Sequence, residues 1–164
     1  MLYHPPLLPM PEIPLPRHPG AFGTRRKYDV HSGIDLYAPH GETVYAVEDG
    51  RIVYADWFTG EKCNTPWWNN TRALYIEGDT ATMVYGEIAE NSWLKEGMNV
   101  KAGQVIGTVL TVLKEDKGRP MSMLHFSMKQ KGYDLLYKQG IYMMNIDPTM
   151  VLLQCKINSL HMEK

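Results

Sequence analysis

The sequence predicts an all-β fold, a sandwich or flattened barrel, and three observations carry that prediction. From Val30 to Val112, apolar and polar residues alternate in short runs: TVYAV, RIVYA, ALYIEGD, TATMVYGEI and QVIGTVLTV. A period of two puts successive side chains on opposite faces of a strand. Turn residues separate the runs at Pro39-His40-Gly41, Asp49-Gly50, Gly78-Asp79 and Gly97-Met98-Asn99. The third observation is an internal echo. Gly41 to Ala46 reads G-x-x-V-x-A, Gly97 to Ala102 repeats it, and each copy runs on into a glycine-bounded apolar strand. Two related β units in one small domain predict a sandwich or flattened barrel of two halves; the copies are too few for a solenoid.

Taken in order, residues 1–20 hold seven of the eleven prolines. Few amide donors and a bias to polyproline II make this segment an arm, either a strap over the domain or a docking peptide for a partner. Residues 21–153 form the domain, and 154–164 a C-terminal tail. Within the domain no stretch from Val30 to Val112 has a helical period with caps. Asp56 to Arg72, DWFTGEKCNTPWWNNTR, breaks the strand pattern. It reads as a long hairpin loop with an aromatic tip, whose Trp67 and Trp68 either face a ligand or pack back on the sheet. Asn69-Asn70-Thr71 matches a glycosylation acceptor, a triplet common by chance.

The bulk numbers exclude several classes. A chain of 164 residues fits one domain with a real core, and 44% hydrophobic with 21% charged residues is ordinary for a globular protein. The net charge of -1 gives no basic excess for nucleic acid. No apolar run approaches the ~18 residues of a membrane span, and prolines interrupt MLYHPPLLPM, so it is no signal peptide. Cys63 and Cys155 fit no metal-binding pair, which leaves a disulfide or two buried thiols.

VHSGID, from Val30 to Asp35, sets a histidine and a carboxylate four residues apart around Gly33. On a strand His31 and Asp35 share one face, with Ile34 and Leu36 turned to the core. Met121 to Ser127 alternates the same way, with His125 outward and Leu124 and Phe126 inward. Taken alone, His31 and Asp35 could hold a metal, carry a proton or decorate a strand. Two imidazoles and a carboxylate are a common catalytic zinc shell, and the same donors suit non-haem iron.

The ordered motifs resemble those of the lysostaphin and LytM-type zinc endopeptidases, which cut peptidoglycan cross-bridges. Phe22-Gly23-Thr24-Arg25 resembles the opening F-G-x-R of that family, and His31 to Leu36 its H-x-G-I-D-I. Ala38-Pro39-His40-Gly41 through Val53 resembles its A-P-x-G-x-x-V-x-A hairpin. Glu96-Gly97 through Gly107 resembles its G-x-x-V-K-x-G-Q-x-I-G turn, Leu124-His125-Phe126 the end of H-L-H-F, and Ile146-Asp147-Pro148 the closing V-D-P. The resemblance implies Zn2+ held by His31, Asp35 and His125, and the family's all-β fold, an antiparallel barrel-sandwich built from a duplicated hybrid motif.

Two positions depart from the pattern. The family's Y-x-H is Tyr85-Gly86-Glu87 here, and its H-x-H is Met123-Leu124-His125. Both non-ligand catalytic histidines are therefore replaced. Met123 moves no proton, but Glu87 can act as a general base, as glutamate does in other zinc peptidases. Tyr85, His40 and Arg119 are oxyanion partners by residue type, with Tyr85 expected on the face of Glu87. Two functions follow: an endopeptidase whose partner is a peptidoglycan peptide, or a non-hydrolytic zinc module in a larger assembly, contacted through the arm, such as a phage tail or lysis apparatus. An active enzyme of this kind acts at the cell wall or periplasm, with a phage particle as one route of delivery. The glycine-rich hairpins also resemble biotinyl and lipoyl carriers, for which Met128-Lys129-Gln130 is the nearest modification signal.

Overall fold

Alternation becomes strands almost run for run. The computed structural model describes residues 2–25 and 30–162. Met1, Arg26, Lys27, Tyr28, Asp29, Glu163 and Lys164, which the sequence reading assigned to arm, domain and tail, lie outside the described residues. The strands are β1 (Ile34–Tyr37), β2 (Thr43–Tyr45), β3 (Gly50–Thr59), β4 (Thr71–Gly78), β5 (Thr82–Glu90), β6 (Asn99–Val100), β7 (Val105–Val109), β8 (Met123–Lys129) and β9 (Asn145–Ile146). They pair antiparallel in the order β1-β8-β5-β4-β3-β6, with β7 on both β2 and β5, and β9 on β8. The fold is all-β, as the patterning requires, but the sheet stays open.

The two copies of the sequence echo exchange partners. Val44 of the first copy pairs with Gly107, which follows the second, and Val100 of the second pairs with Gly50, which follows the first. Both glycines are needed at these crossings. A Cβ on Gly50 would lie 2.8 Å from the Glu77 carbonyl oxygen, and one on Gly107 2.4 Å from that of Ala89. The duplication is thus a pseudo-symmetric swap of strands between halves.

One sheet face builds the core from Ile34, Leu36, Ile52, Leu74, Ile76, Ile88, Leu124 and Phe126, all essentially inaccessible. The arm lies across this core. Leu7, Met10 and Ile13 are buried in it, and the backbone is tied down by His4 N–H to Val47 O (2.7 Å) and Tyr45 N–H to Pro6 O (2.9 Å). A helix, α1 (Thr149–Met162), packs on the arm and spans the residue-153 point at which the sequence reading begins the tail. Its Asn158 amide donates to Tyr3 O (2.8 Å), and Lys156 Nζ to Pro11 O (3.2 Å). Cys63 and Cys155 are free thiols, so the disulfide alternative falls. Among the described residues no helix is long and apolar enough to cross a membrane.

Candidate metal centre

The second face of the sheet carries the polar residues. Asp35 on β1 stands directly opposite His125 on β8, and direct partners across an antiparallel pair point to the same side. His31 precedes the strand. A loop brings it in, held by His31 N–H to Thr24 O (2.9 Å) and Gly23 N–H to His31 O (2.9 Å). The period-two argument for His31 therefore does not apply, because β1 begins only at Ile34; backbone ties do the placing.

Three donor atoms meet there. His31 Nε2 lies 3.2 Å from Asp35 Oδ1 and 3.3 Å from His125 Nδ1, and that nitrogen lies 3.3 Å from Asp35 Oδ1. A tetrahedral shell with bonds of about 2.0–2.2 Å has edges of about 3.3–3.6 Å, so the triangle has the size of one face of a zinc site. The three residues are 4%, 7% and 6% exposed. His31 Nδ1–H donates to Ala21 O (3.0 Å), which leaves Nε2 with a lone pair when the ring is neutral. Buried lone pairs facing one another at this distance call for a cation or a proton between them. Burial would raise the Asp35 pKa, but hydrogen bonds and charge from His125 and His31 outweigh it and hold the carboxyl far below the usual range. His31, Asp35 and His125 form the cluster able to hold a metal among the described residues.

Close packing fixes the triangle. A Cβ on Gly33 would meet Phe126 O at 2.5 Å and His125 Nε2 at 2.9 Å, so only glycine lets the chain pass between His31 and Ile34. Phe58 of β3 lies over the floor, its ring 5.1 Å from that of His125. Gly86, paired with His125, makes room for it: a Cβ there would sit 2.7 Å from the Phe58 ring. The sequence reading put Phe58 in the Asp56–Arg72 loop; β3 instead runs on to Thr59 and β4 starts at Thr71, so Phe58 is a sheet residue. The signal for its contact was Gly86, two residues before Ile88 on a strand otherwise filled by larger side chains.

Glu87 follows Gly86. The β4–β5 register shifts here, from Arg72 opposite Ile88 to Ala73 opposite Gly86, so Glu87 is a bulged residue. Its φ of 65° is in the left-handed region, its carbonyl accepts from Leu110 N–H (3.1 Å), and its side chain is half-buried. The bulge also corrects the expectation for Tyr85. That residue is not on the face of Glu87: it is 1% exposed, stacks edge-on against Phe126, and bonds Val47 N–H through its hydroxyl. Tyr85 is core and cannot serve an oxyanion. His40 Nδ1 accepts from Thr111 N–H (3.1 Å) in an exposed turn, and Arg119 is exposed on the loop before β8. Met123 stands opposite Tyr37, one pair beyond Leu124–Leu36. Lys129 ends β8, pairs with Asn145 of β9 across a long connection and donates its Nζ to the Asn145 side chain (2.7 Å), so it is not at a tight hairpin tip, which removes the carrier reading.

Trp67 is 62% exposed and Trp68 half-buried. They border a cavity of about 240 Å³ whose lining does not include the metal donors. Asn69 of the glycosylation triplet is used structurally, its amide donating to Thr111 O (3.1 Å).

The family model for peptidase family M23 matches residues 29–136. The fold resembles that of the catalytic domain, in a point-mutant form, of the prophage-encoded M23 protein EnpA from Enterococcus faecalis, with a TM-score of 0.55 and 21% identity over 85% of this chain and 95% of that one. Lysostaphin from Staphylococcus simulans superposes with a TM-score of 0.61 and 20% identity, over 95% of this chain and 56% of that one. A zinc containing peptidase from Vibrio cholerae gives 0.52 and 23%, over 77% and 36%. The chain thus spans nearly the whole of the first and about a third to a half of the other two. No curated protein sequence matches it.

Proposed function

The chain belongs to peptidase family M23, and on that premise we propose that it is a zinc-dependent endopeptidase directed at peptidoglycan cross-bridge peptides. The observation that carries this reading is the donor triangle of His31, Asp35 and His125, of zinc-shell size and buried. Zinc held there would polarise a scissile carbonyl and lower the pKa of its water toward ~7.

The chain's own residues supply the rest. The Ala21 carbonyl sets the His31 tautomer, a common support for a ligating imidazole. Phe58 covers the His125 ring and keeps bulk water from that side. Glu87 is the proposed general base. The bulge takes it out of the alternation that buries Tyr85 and Ile88, and a carboxylate near a cation stays ionised, ready to accept the proton of attacking water.

A second reading, a non-hydrolytic zinc module used for binding or structure, is favoured by Met123, which offers no proton beside His125. Delivery to the wall by a phage particle draws support from the prophage origin of the Enterococcus protein. A turbidity assay on peptidoglycan separates the readings. Clearing by the wild-type protein supports the peptidase. An inert wild type whose double variant Glu87→His, Met123→His clears the suspension marks a retired peptidase. No clearing by either rejects the enzyme reading.

A further inference from the structure

We propose that the cavity between the β3–β4 loop and the segment before β8 is a saccharide subsite, which takes an N-acetylated pyranose of the wall glycan. The inference rests on the wall-directed reading above and adds a second part of the substrate.

The cavity is a built feature. Trp68 bridges to Leu113, Asn69 N–H donates to Val112 O (2.8 Å), and Val112 N–H donates to Met121 O (2.8 Å). The β3–β4 loop and the 111–113 segment thus extend the sheet alongside the lead-in to β8. Trp67 and Trp68 stand edge to face, with ring centroids 6.1 Å apart, and Leu113 closes the base. Lys114, Glu115 and Lys117 form the rest of the lining, and the Lys114 ammonium is anchored on Pro66 O (2.8 Å).

Two facts select the ligand. An exposed indole corner offers a flat apolar surface, whereas the rim carries both a carboxylate acceptor and ammonium donors. A ligand of one charge would meet repulsion from one of them. A neutral ring with an apolar face and many hydroxyls meets all of them favourably. The second fact is separation. Met121, whose carbonyl ties Val112 of the 111–113 segment to the lead-in of β8, is four residues along the chain from His125, and none of the three donors lines the cavity. The cavity is thus separate from the donor triangle and takes a different portion of the same polymer from the one that meets the metal.

Isothermal titration with a tetramer of N-acetylglucosamine tests this on the full chain. Wild type should bind the tetramer with the same Kd with and without a chelator, because the cavity lining does not include the metal donors. Trp67→Ala should weaken binding at least about tenfold with unchanged melting, since Trp67 is largely exposed, and Trp67→Phe should recover most of it. No binding by wild type at millimolar tetramer, or equal binding by Trp67→Ala, overturns the proposal. So does a pentaglycine peptide that binds in its place and is lost in Trp67→Ala, which would make this a peptide subsite. Sugar binding by a protein that holds no zinc and clears no peptidoglycan would overturn the peptidase reading and leave the subsite standing.

Discussion

The two sides of the metal centre are held very differently by the fold. On the β1–β8 side, strand register sets Asp35 against His125, a backbone carbonyl orients His31, and Gly33 admits no other residue. On the β5 side, Glu87 occupies a bulge and Met123 offers no polar group. Constraints that belong to the sheet hold the three candidate donors, whereas the proposed base stands where the regular pairing of the sheet is broken. On the proposed reading, metal binding and proton transfer are therefore separable by substitution.

The comparison is broken most severely at Gly33. Gly33→Ala should abolish zinc binding and lower the melting temperature by many degrees, because a Cβ cannot fit between Phe126 O and the His125 ring. A variant that melts and binds like wild type would show that the donor side is not tightly set. Next comes the arm that backs the core. Leu7 is fully buried, so Leu7→Ala should cost about 2–5 kcal/mol in urea unfolding, as for other buried leucines. A cost under about 1 kcal/mol would make the arm an ornament.

The β5 side is sharpened by Glu87→Gln. If the protein clears peptidoglycan, this variant should keep its zinc and fold while losing at least ~100-fold in rate. Loss of zinc together with rate would instead make Glu87 a part of the donor side. The smallest effect concerns Glu77, which supports the 131–133 turn beyond β8. Burial would raise its pKa, but hydrogen bonds from Tyr133 N–H, Gly132 N–H and the Thr82 hydroxyl hold it below the usual range. A depressed carboxyl contributes stability above its unfolded pKa of ~4.3 and loses it as pH falls. Glu77→Gln should therefore cost about 1 kcal/mol at pH 7, with the gap narrowing below about pH 4. A gap that stays constant down to pH 3 would contradict this.

Much of this site was legible as sequence because its parts are local. Asp35 lies on an alternating strand and His125 on another, and the glycine-bounded echo marks the duplicated halves. What was illegible depends on broken periodicity. One bulged residue at Glu87 sends Tyr85 into the core, and nothing in YGE announces it. Helix α1 escaped because it has no apolar stripe: it buries Leu152, Cys155 and Ser159 yet exposes Met150, Ile157 and Leu160. Its partner is the proline arm, and contacts between chain ends leave no local pattern.

Zinc titration of the metal-stripped protein, read by calorimetry alongside an elemental count after dialysis, bears most directly on the metal centre. Wild type should take up one equivalent, and Asp35→Ala, reduced to two donors, should retain none while still folding. A wild-type chain that stays metal-free in excess zinc, or an Asp35→Ala variant that binds as tightly as wild type, would contradict the assignment of His31, Asp35 and His125 as a zinc site.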